Sequence, residues 1–170
     1  MAKITLVLGG ARSGKSLYAE ELVLSASNTP IYIATAQAFD DEMSARIDTH
    51  KQRRHDGWQT VEAPIDLPQA IVKCNKQNDV ILVDCLTVWL GNLMAHEHNV
   101  ENAIQSLLKA LENIQGTIIL VACEVGLGIV PDNKQARLFR DYAGTLNNKI
   151  AQKADKVFFV AAGLALTMKG

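Results

Sequence analysis

The chain has 170 residues, 48% of them apolar, enough for one compact domain with a full core. A net charge of −1 leaves no global positive field for gripping nucleic acid, and no run approaches the roughly 18 apolar residues of a membrane span. Three cysteines, Cys74, Cys85 and Cys123, make an odd count without C-x-x-C, which fits a reducing cytosol better than a disulfide scaffold.

Ile4–Leu8 reads as a short buried strand. The preceding Met1-Ala2-Lys3 superficially suggests a signal peptide, but the apolar run is too short. Next stands Gly9-Gly10-Ala11-Arg12-Ser13-Gly14-Lys15-Ser16, which fits G-x-x-x-x-G-K-[ST], the phosphate-binding loop. Ala19, Leu22, Val23 and Ala26 then trace a helix, so strand, glycine loop and helix follow in the order the motif needs. Gly9 and Gly14 allow turns that side chains would block, and the backbone N–H groups then point inward at phosphate oxygens. The helix N-terminus adds its partial positive charge. Lys15 is placed to reach the outer phosphates and the Ser16 hydroxyl to ligate Mg²⁺. The alternative is a chance glycine turn.

Ile31–Thr35 reads as a second strand. In the segment from Asp40 to Arg54, Asp40 and Asp41 suit a helix start, and Met43 and Ile47 mark a narrow apolar stripe. Arg46, His50 and Arg53 or Arg54 follow at spacings of three or four and can share a face. Cations beside an imidazole would hold a polyphosphate against it and keep a nucleophilic nitrogen free of its proton. A solvated basic helix is the alternative, and His55 is a rival nucleophile.

Trp58–Glu62 reads as a strand; Pro64 and Pro68 bracket a connection, and Ile65 to Val72 can form a short helix. Val80–Asp84 is an apolar strand ending in a carboxylate, which in phosphate-loop proteins assists Mg²⁺. Asp84 could instead cap whatever follows. In the apolar run Leu86 to Leu93, Trp89 with Leu90, Leu93 and Met94 points to core or a subunit contact, whereas His96 and His98 read as surface loop. Val100, Ala103, Ile104, Leu107, Leu108 and Leu111 trace one helix face, and Ala136, Phe139, Ala143, Leu146 and Ile150 another. Between them Thr117–Cys123 reads as a strand, with Cys85 and Cys123 as core residues. Glu124 follows as a possible base, an orderer of metal-bound water, or a solvated loop residue. Val157–Ala161 is a further strand and Leu164–Met168 a last edge.

Near-continuous Val/Ile/Leu strands alternating with helices argue for a mostly parallel sheet covered on both faces. No repeat or linker interrupts residues 1–170, which read as one domain. Open sheets of this kind bind ligands at the carboxyl ends of their strands. That rule gathers Gly9–Ser16, Thr35–Gln37, Glu62, Asp84 and Glu124 on one rim.

Taken together, several stretches look like one known family. They are the glycine loop, Tyr32-Ile33-Ala34-Thr35-Ala36, Asp41-Glu42-Met43 with Arg46-Ile47 and His50-Lys51, and Val83-Asp84-Cys85-Leu86-Thr87 with Asn92-Leu93. Glu124-Val125-Gly126, Gly128-Ile129-Val130-Pro131, Phe139-Arg140-Asp141, Ala143-Gly144 and Asn147 complete the set. The chain resembles the bifunctional adenosylcobinamide kinase/adenosylcobinamide-phosphate guanylyltransferases of cobalamin synthesis, nearly end to end.

The resemblance implies a P-loop NTPase three-layer α/β sandwich whose sheet of about seven strands is mostly parallel with one antiparallel edge. It implies phosphorylation of adenosylcobinamide by ATP or GTP. GMP is then transferred from GTP through a covalent histidine, with release of pyrophosphate. By the Arg-Ile-x-x-His pattern that histidine is His50, with Lys15 as the second catalytic residue. Nucleotide contacts would fall on Gly9, Gly10, Ala11, Arg12, Ser13, Gly14, Lys15, Ser16, Ala34, Thr35, Ala36, Lys51, Gln52, Arg53, Arg54, Glu62 and Asp84. Ser16 and Asp84 would serve Mg²⁺. A cytoplasmic homo-oligomer, with a trimer among the forms implied, completes the expectation. The alternative, a monofunctional P-loop small-molecule kinase, would share the loop, Asp84 and an Arg-bearing lid but would not need His50. A GTP-gated switch usually carries N-K-x-D. The nearest matches, Asn75-Lys76-Gln77-Asn78 and Asn148-Lys149-Ile150-Ala151, lack the Asp.

Overall fold

Strands made of unbroken Val, Ile and Leu must be buried on both faces, and the centre of this sheet is. The computed structural model describes residues 3–37 and 57–170. Its elements, in order, are β1 (Lys3–Gly9), α1 (Lys15–Ala26), β2 (Ile31–Ala34), β3 (Gln59–Glu62), α2 (Leu67–Cys74) and β4 (Val80–Asp84). They continue with α3 (Leu86–Ala95), α4 (Val100–Glu112), β5 (Thr117–Cys123), α5 (Lys134–Lys153), β6 (Lys156–Ala161) and β7 (Leu164–Lys169). The strands form one sheet in the order β3-β2-β4-β5-β1-β6-β7. Neighbouring pairs are parallel except β6–β7, which is antiparallel.

Register explains the two-sided core. Val7 pairs with Val121 and Leu82 with Ile119, and these four pack on one face with Ala19 and Val23 of α1. Leu6 and Val83 both pair with Leu120, and these face the other way onto α2, α3, α4 and α5. The result is three layers, as expected. The helices start where the sequence supplies caps. Asn99 accepts from the Asn102 amide at 2.9 Å to open α4, and Asn133 accepts from the Ala136 amide at 2.8 Å to open α5. No helix among the described residues is long and apolar enough to cross a membrane.

Differences from the sequence reading are local. β3 begins at Gln59 rather than Trp58, and β2 ends at Ala34 rather than Thr35. The short helix expected over Ile65 to Val72 runs over Leu67–Cys74, with Pro68 in its first turn, where a missing N–H costs nothing. The apolar run after Asp84 is a helix, α3, in which Trp89, Leu90 and Leu93 are buried as core. Its N-cap is Cys85, so the Asp84 carboxylate does not cap it.

Candidate active site

Six parallel strands put their carboxyl ends on one rim. Across it lie Glu62, Ala34, Asp84, Cys123, Gly9 and Val160, in that spatial order. The glycine loop leaves β1 near the middle, and Asp84 ends β4 two strands away, about 10 Å along the rim at ordinary strand spacing.

The loop from Gly10 to Gly14 turns tightly, with the Ser13 amide donating to the Gly10 carbonyl at 3.3 Å. Gly9 has no room for a side chain, since a Cβ there would lie 2.5 Å from both Ser13 Oγ and the Val160 carbonyl. Gly14 adopts φ +93° and caps α1 without any side-chain hydrogen bond. The first amides of α1 therefore keep the free donors and partial positive charge that favour an anion. The Ser13 hydroxyl, buried beside them, has no hydrogen-bond partner among the described residues, as suits a position that meets a polar ligand. The loop is braced from behind by the β6–β7 turn. There Ala162 and Gly163 both have positive φ, the pattern of a two-residue type I′ hairpin, and the Gly163 amide donates to the Ser13 carbonyl at 2.8 Å.

Gly14→Ala is accordingly expected to weaken nucleotide binding at least ~100-fold. Its Cβ would lie 3.1 Å from Gly163 Cα, and the left-handed backbone would add a strain of about 1–2 kcal/mol. Equilibrium titration with a fluorescent GTP analogue, alongside thermal unfolding, measures both effects.

Lys15 opens α1 and is only 8% exposed. Its ammonium donates to the Gly10 carbonyl at 3.1 Å. Cys123 is half-buried rather than a core residue, a correction to the sequence expectation, whereas Cys85 is buried as expected. The neighbouring Cys85 thiol, with the Lys15 charge and the Thr87 hydroxyl, holds the Cys123 thiol below the ordinary range. The same pairing and burial push Cys85 well up. Thr87 also accepts from the Cys123 amide at 2.7 Å.

The other predicted positions take different places. Ser16 and Asp84 are half-buried at the rim, and the Tyr32 hydroxyl lies 3.5 Å from Asp84 Oδ2. Thr35 is fully buried. Its hydroxyl donates to the Cys85 carbonyl at 2.8 Å and accepts from the Cys85 amide at 2.9 Å, locking the ends of β2 and β4 together. Ala34 and Ala36 are half-buried beside it, and Glu62 is exposed at the end of β3. Glu124 folds back, accepting from the Gly126 amide at 2.5 Å, while its own amide donates to the Gly9 carbonyl at 3.0 Å. His50, Lys51, Gln52, Arg53 and Arg54 lie outside the described residues, as does His55.

Two buried asparagines, whose part sequence chemistry alone did not reveal, tie the rim to the helices. Asn92 donates to the carbonyls of Thr35 at 2.8 Å and Pro64 at 3.0 Å, and Asn147 donates to the Cys123 carbonyl at 3.3 Å. A polar residue amid the apolar positions of each helix was the available signal.

The donor set suits Mg²⁺. A hydroxyl and a carboxylate are hard oxygen ligands, and Mg²⁺ on a nucleotide is usually held by one or two protein oxygens plus phosphates and water. No group of three or more metal-binding side chains occurs among the described residues, which such a site does not require.

Comparison with known proteins gives a consistent result. Residues 5–168 match the family model of cobinamide kinase / cobinamide phosphate guanyltransferase. The bifunctional adenosylcobalamin biosynthesis protein CobP of Pseudomonas aeruginosa is 42% identical over 167 residues, covering 97% of this chain and 96% of the relative. The bifunctional adenosylcobalamin biosynthesis protein CobU of Escherichia coli is 40% identical over 179 aligned positions, covering 96% and 98%. Among solved structures, a prototypical ATPase of a bacterial type III secretion system aligns with TM-score 0.60 at 11% identity, over 97% of this chain and 56% of that one. The flagellar accessory protein FlaH of Methanocaldococcus jannaschii aligns with TM-score 0.54 at 15% identity, over 98% and 78%. These two likenesses concern the fold alone.

Proposed function

The chain belongs to the cobinamide kinase / cobinamide phosphate guanyltransferase family, and we propose that its single domain, residues 1–170, carries both activities on one phosphate cup. In the first, ATP or GTP lies with its phosphates against the amides of Gly9 to Ser16. The aminopropanol hydroxyl of adenosylcobinamide attacks the γ-phosphorus, loses its proton, and displaces the nucleoside diphosphate. Lys15 leaves the Gly10 carbonyl for the phosphate oxygens and offsets the charge that builds there. Ser16 and Asp84 would hold Mg²⁺, which when bound neutralises phosphate charge.

In the second activity an imidazole nitrogen of His50 attacks the α-phosphorus of GTP, and pyrophosphate leaves. An oxygen of adenosylcobinamide phosphate then attacks the same phosphorus, the P–N bond breaks, and adenosylcobinamide-GDP is released. Two displacements replace one hard transfer. Lys51, Arg53 and Arg54, next to His50 in the chain, supply positive charge for the leaving pyrophosphate, and Ala34, Thr35, Ala36, Gln52 and Glu62 complete the nucleotide site. The protein acts in the cytoplasm as a homo-oligomer, a trimer being the form the family resemblance suggests.

The observation that carries this reading is the match over residues 5–168 to a family whose description names both reactions. Its test is product analysis by mass spectrometry after incubation with adenosylcobinamide, GTP and Mg²⁺. Adenosylcobinamide-GDP and pyrophosphate are expected. A reaction that stops at adenosylcobinamide phosphate would identify a monofunctional kinase instead.

A further inference from the structure

A substrate as large as adenosylcobinamide cannot enter the phosphate cup whole, so most of it must rest on the surface beside the cup. A braced apolar surface adjoins it. β5 ends on the rim, and the next residue, Glu124, donates its amide to the carbonyl of Gly9, the first residue of the phosphate loop, at 3.0 Å. Residues 125–130 then all stand in solvent, with Leu127 82% and Ile129 98% exposed. Leu127 lies three residues past Glu124, so no more than about 11 Å of chain separates it from the cup. The backbone beneath these side chains is held at both ends. Glu124 Oε1 accepts from the Gly126 amide at 2.5 Å, and Arg137 donates to the carbonyls of Pro131 at 2.9 Å and Asp132 at 2.6 Å. An exposed apolar run on a fixed backbone marks a contact surface.

We propose that residues 125–130 are the docking platform for the corrinoid ring of the phosphate acceptor. Two features select this occupant. The first is continuity with the cup. β1 passes to α1 on one face of the sheet and β5 passes to α5 on the other, so a molecule on this run faces the glycine loop across the strand ends. The second is chemical complementarity. The acceptor is a methylated macrocycle edged with neutral amides and carrying net positive charge at its cobalt. Residues 124–132 contain two carboxylates, Glu124 and Asp132, and no cation. Leu127, Ile129 and Val130 lie against the methylated ring, and the two carboxylates favour its charge. The aminopropanol arm is then left to reach past Gly9 to the phosphates. The inference rests on adenosylcobinamide being the acceptor, but not on how GMP is passed to it.

The test is equilibrium dialysis of adenosylcobinamide, followed by its colour, against the full-length protein, together with steady-state kinetics of the kinase step. The double variant Leu127→Ser/Ile129→Ser is expected to weaken acceptor binding and raise its KM at least ~10-fold, while kcat and the affinity for a fluorescent GTP analogue stay within about twofold. Asp132→Asn should weaken acceptor binding by about twofold, and less so at high ionic strength. Val72→Ser, which removes an exposed apolar side chain from α2, should match the parent protein. In the parent, adenosylcobinamide should slow deuterium uptake in the peptide spanning residues 124–132 more than Mg²⁺–GTP does. Unchanged acceptor affinity in the double variant, or an equal loss of GTP and acceptor binding, overturns the proposal. So does an assembly of the parent chain, followed by sedimentation, that falls apart in the double variant, because the run would then be a contact between copies. If the parent protein itself binds no adenosylcobinamide, the acceptor assignment fails and the platform with it.

Discussion

His50→Asn is expected to lower GMP transfer to adenosylcobinamide phosphate at least ~10³-fold, while phosphorylation of adenosylcobinamide stays within about threefold of the parent rate. The asymmetry follows from the chemistry. Asparagine approximates the size and polarity of imidazole but has no nitrogen that can hold a phosphoryl group, so the covalent route closes. A loss of ~10³ corresponds to about 4 kcal/mol of transition-state stabilisation, the scale expected when a nucleophile is removed rather than a contact trimmed. In the kinase step the substrate hydroxyl attacks phosphorus directly and has no use for the ring. Time courses of the two products from one reaction mixture, each resolved by chromatography, measure both rates together. GTP labelled in its α-phosphate should mark the peptide containing His50 in the parent protein and leave the variant unlabelled. Equal loss of both activities would make the residue structural. Retention of GMP transfer would move the nucleophile elsewhere, with His55 as the first alternative.

Lys15→Ala is expected to reduce both activities together, each by about 10²–10³ in kcat/KM, and to weaken nucleotide binding as well. Lys15 is the charged side chain buried in the glycine loop, and among the described residues its ammonium has the Gly10 carbonyl as its hydrogen-bond partner. That bond can be exchanged for phosphate oxygens without disturbing a strand or helix. A thermal unfolding curve close to that of the parent protein would separate the catalytic loss from misfolding. If one activity fell and the other persisted, the two reactions would not share this cup. Arg at the same position should not rescue, because a planar guanidinium is larger than the enclosed ammonium it would replace.

The architecture was legible in the sequence to the extent that local patterns carried it. Ile4–Leu8, Val80–Asp84 and Thr117–Cys123 announce two-sided burial by lacking any polar alternation, and they are the central strands. The periodic apolar faces of α4 and α5 were equally plain. Helix α3 was not assigned because Leu86–Ala95 is apolar nearly all round, so no period stands out from its composition. The glycine loop, Asp84 and the rim they share were legible because a parallel sheet brings its strand ends together. What could not be read was contact between residues far apart in the chain. Thr35 reads as a strand end and is a bolt on Cys85, while Cys123 reads as one more core residue and stands half-buried at the rim opposite Gly9. The type I′ turn at Ala162 and Gly163 lay in the gap between two predicted strands, but its bearing on Ser13 depends on β6 lying beside β1.

That last contact has a bearing on how the polypeptide matures. The amide that steadies the anion-gripping loop near the start of the sequence comes from Gly163, some 150 residues later. During synthesis the loop can be spelled out early, yet this amide reaches it only once the β6–β7 hairpin has been made and has docked beside β1. A nascent chain interrupted before Gly163 is therefore expected to carry the glycine loop without that buttress.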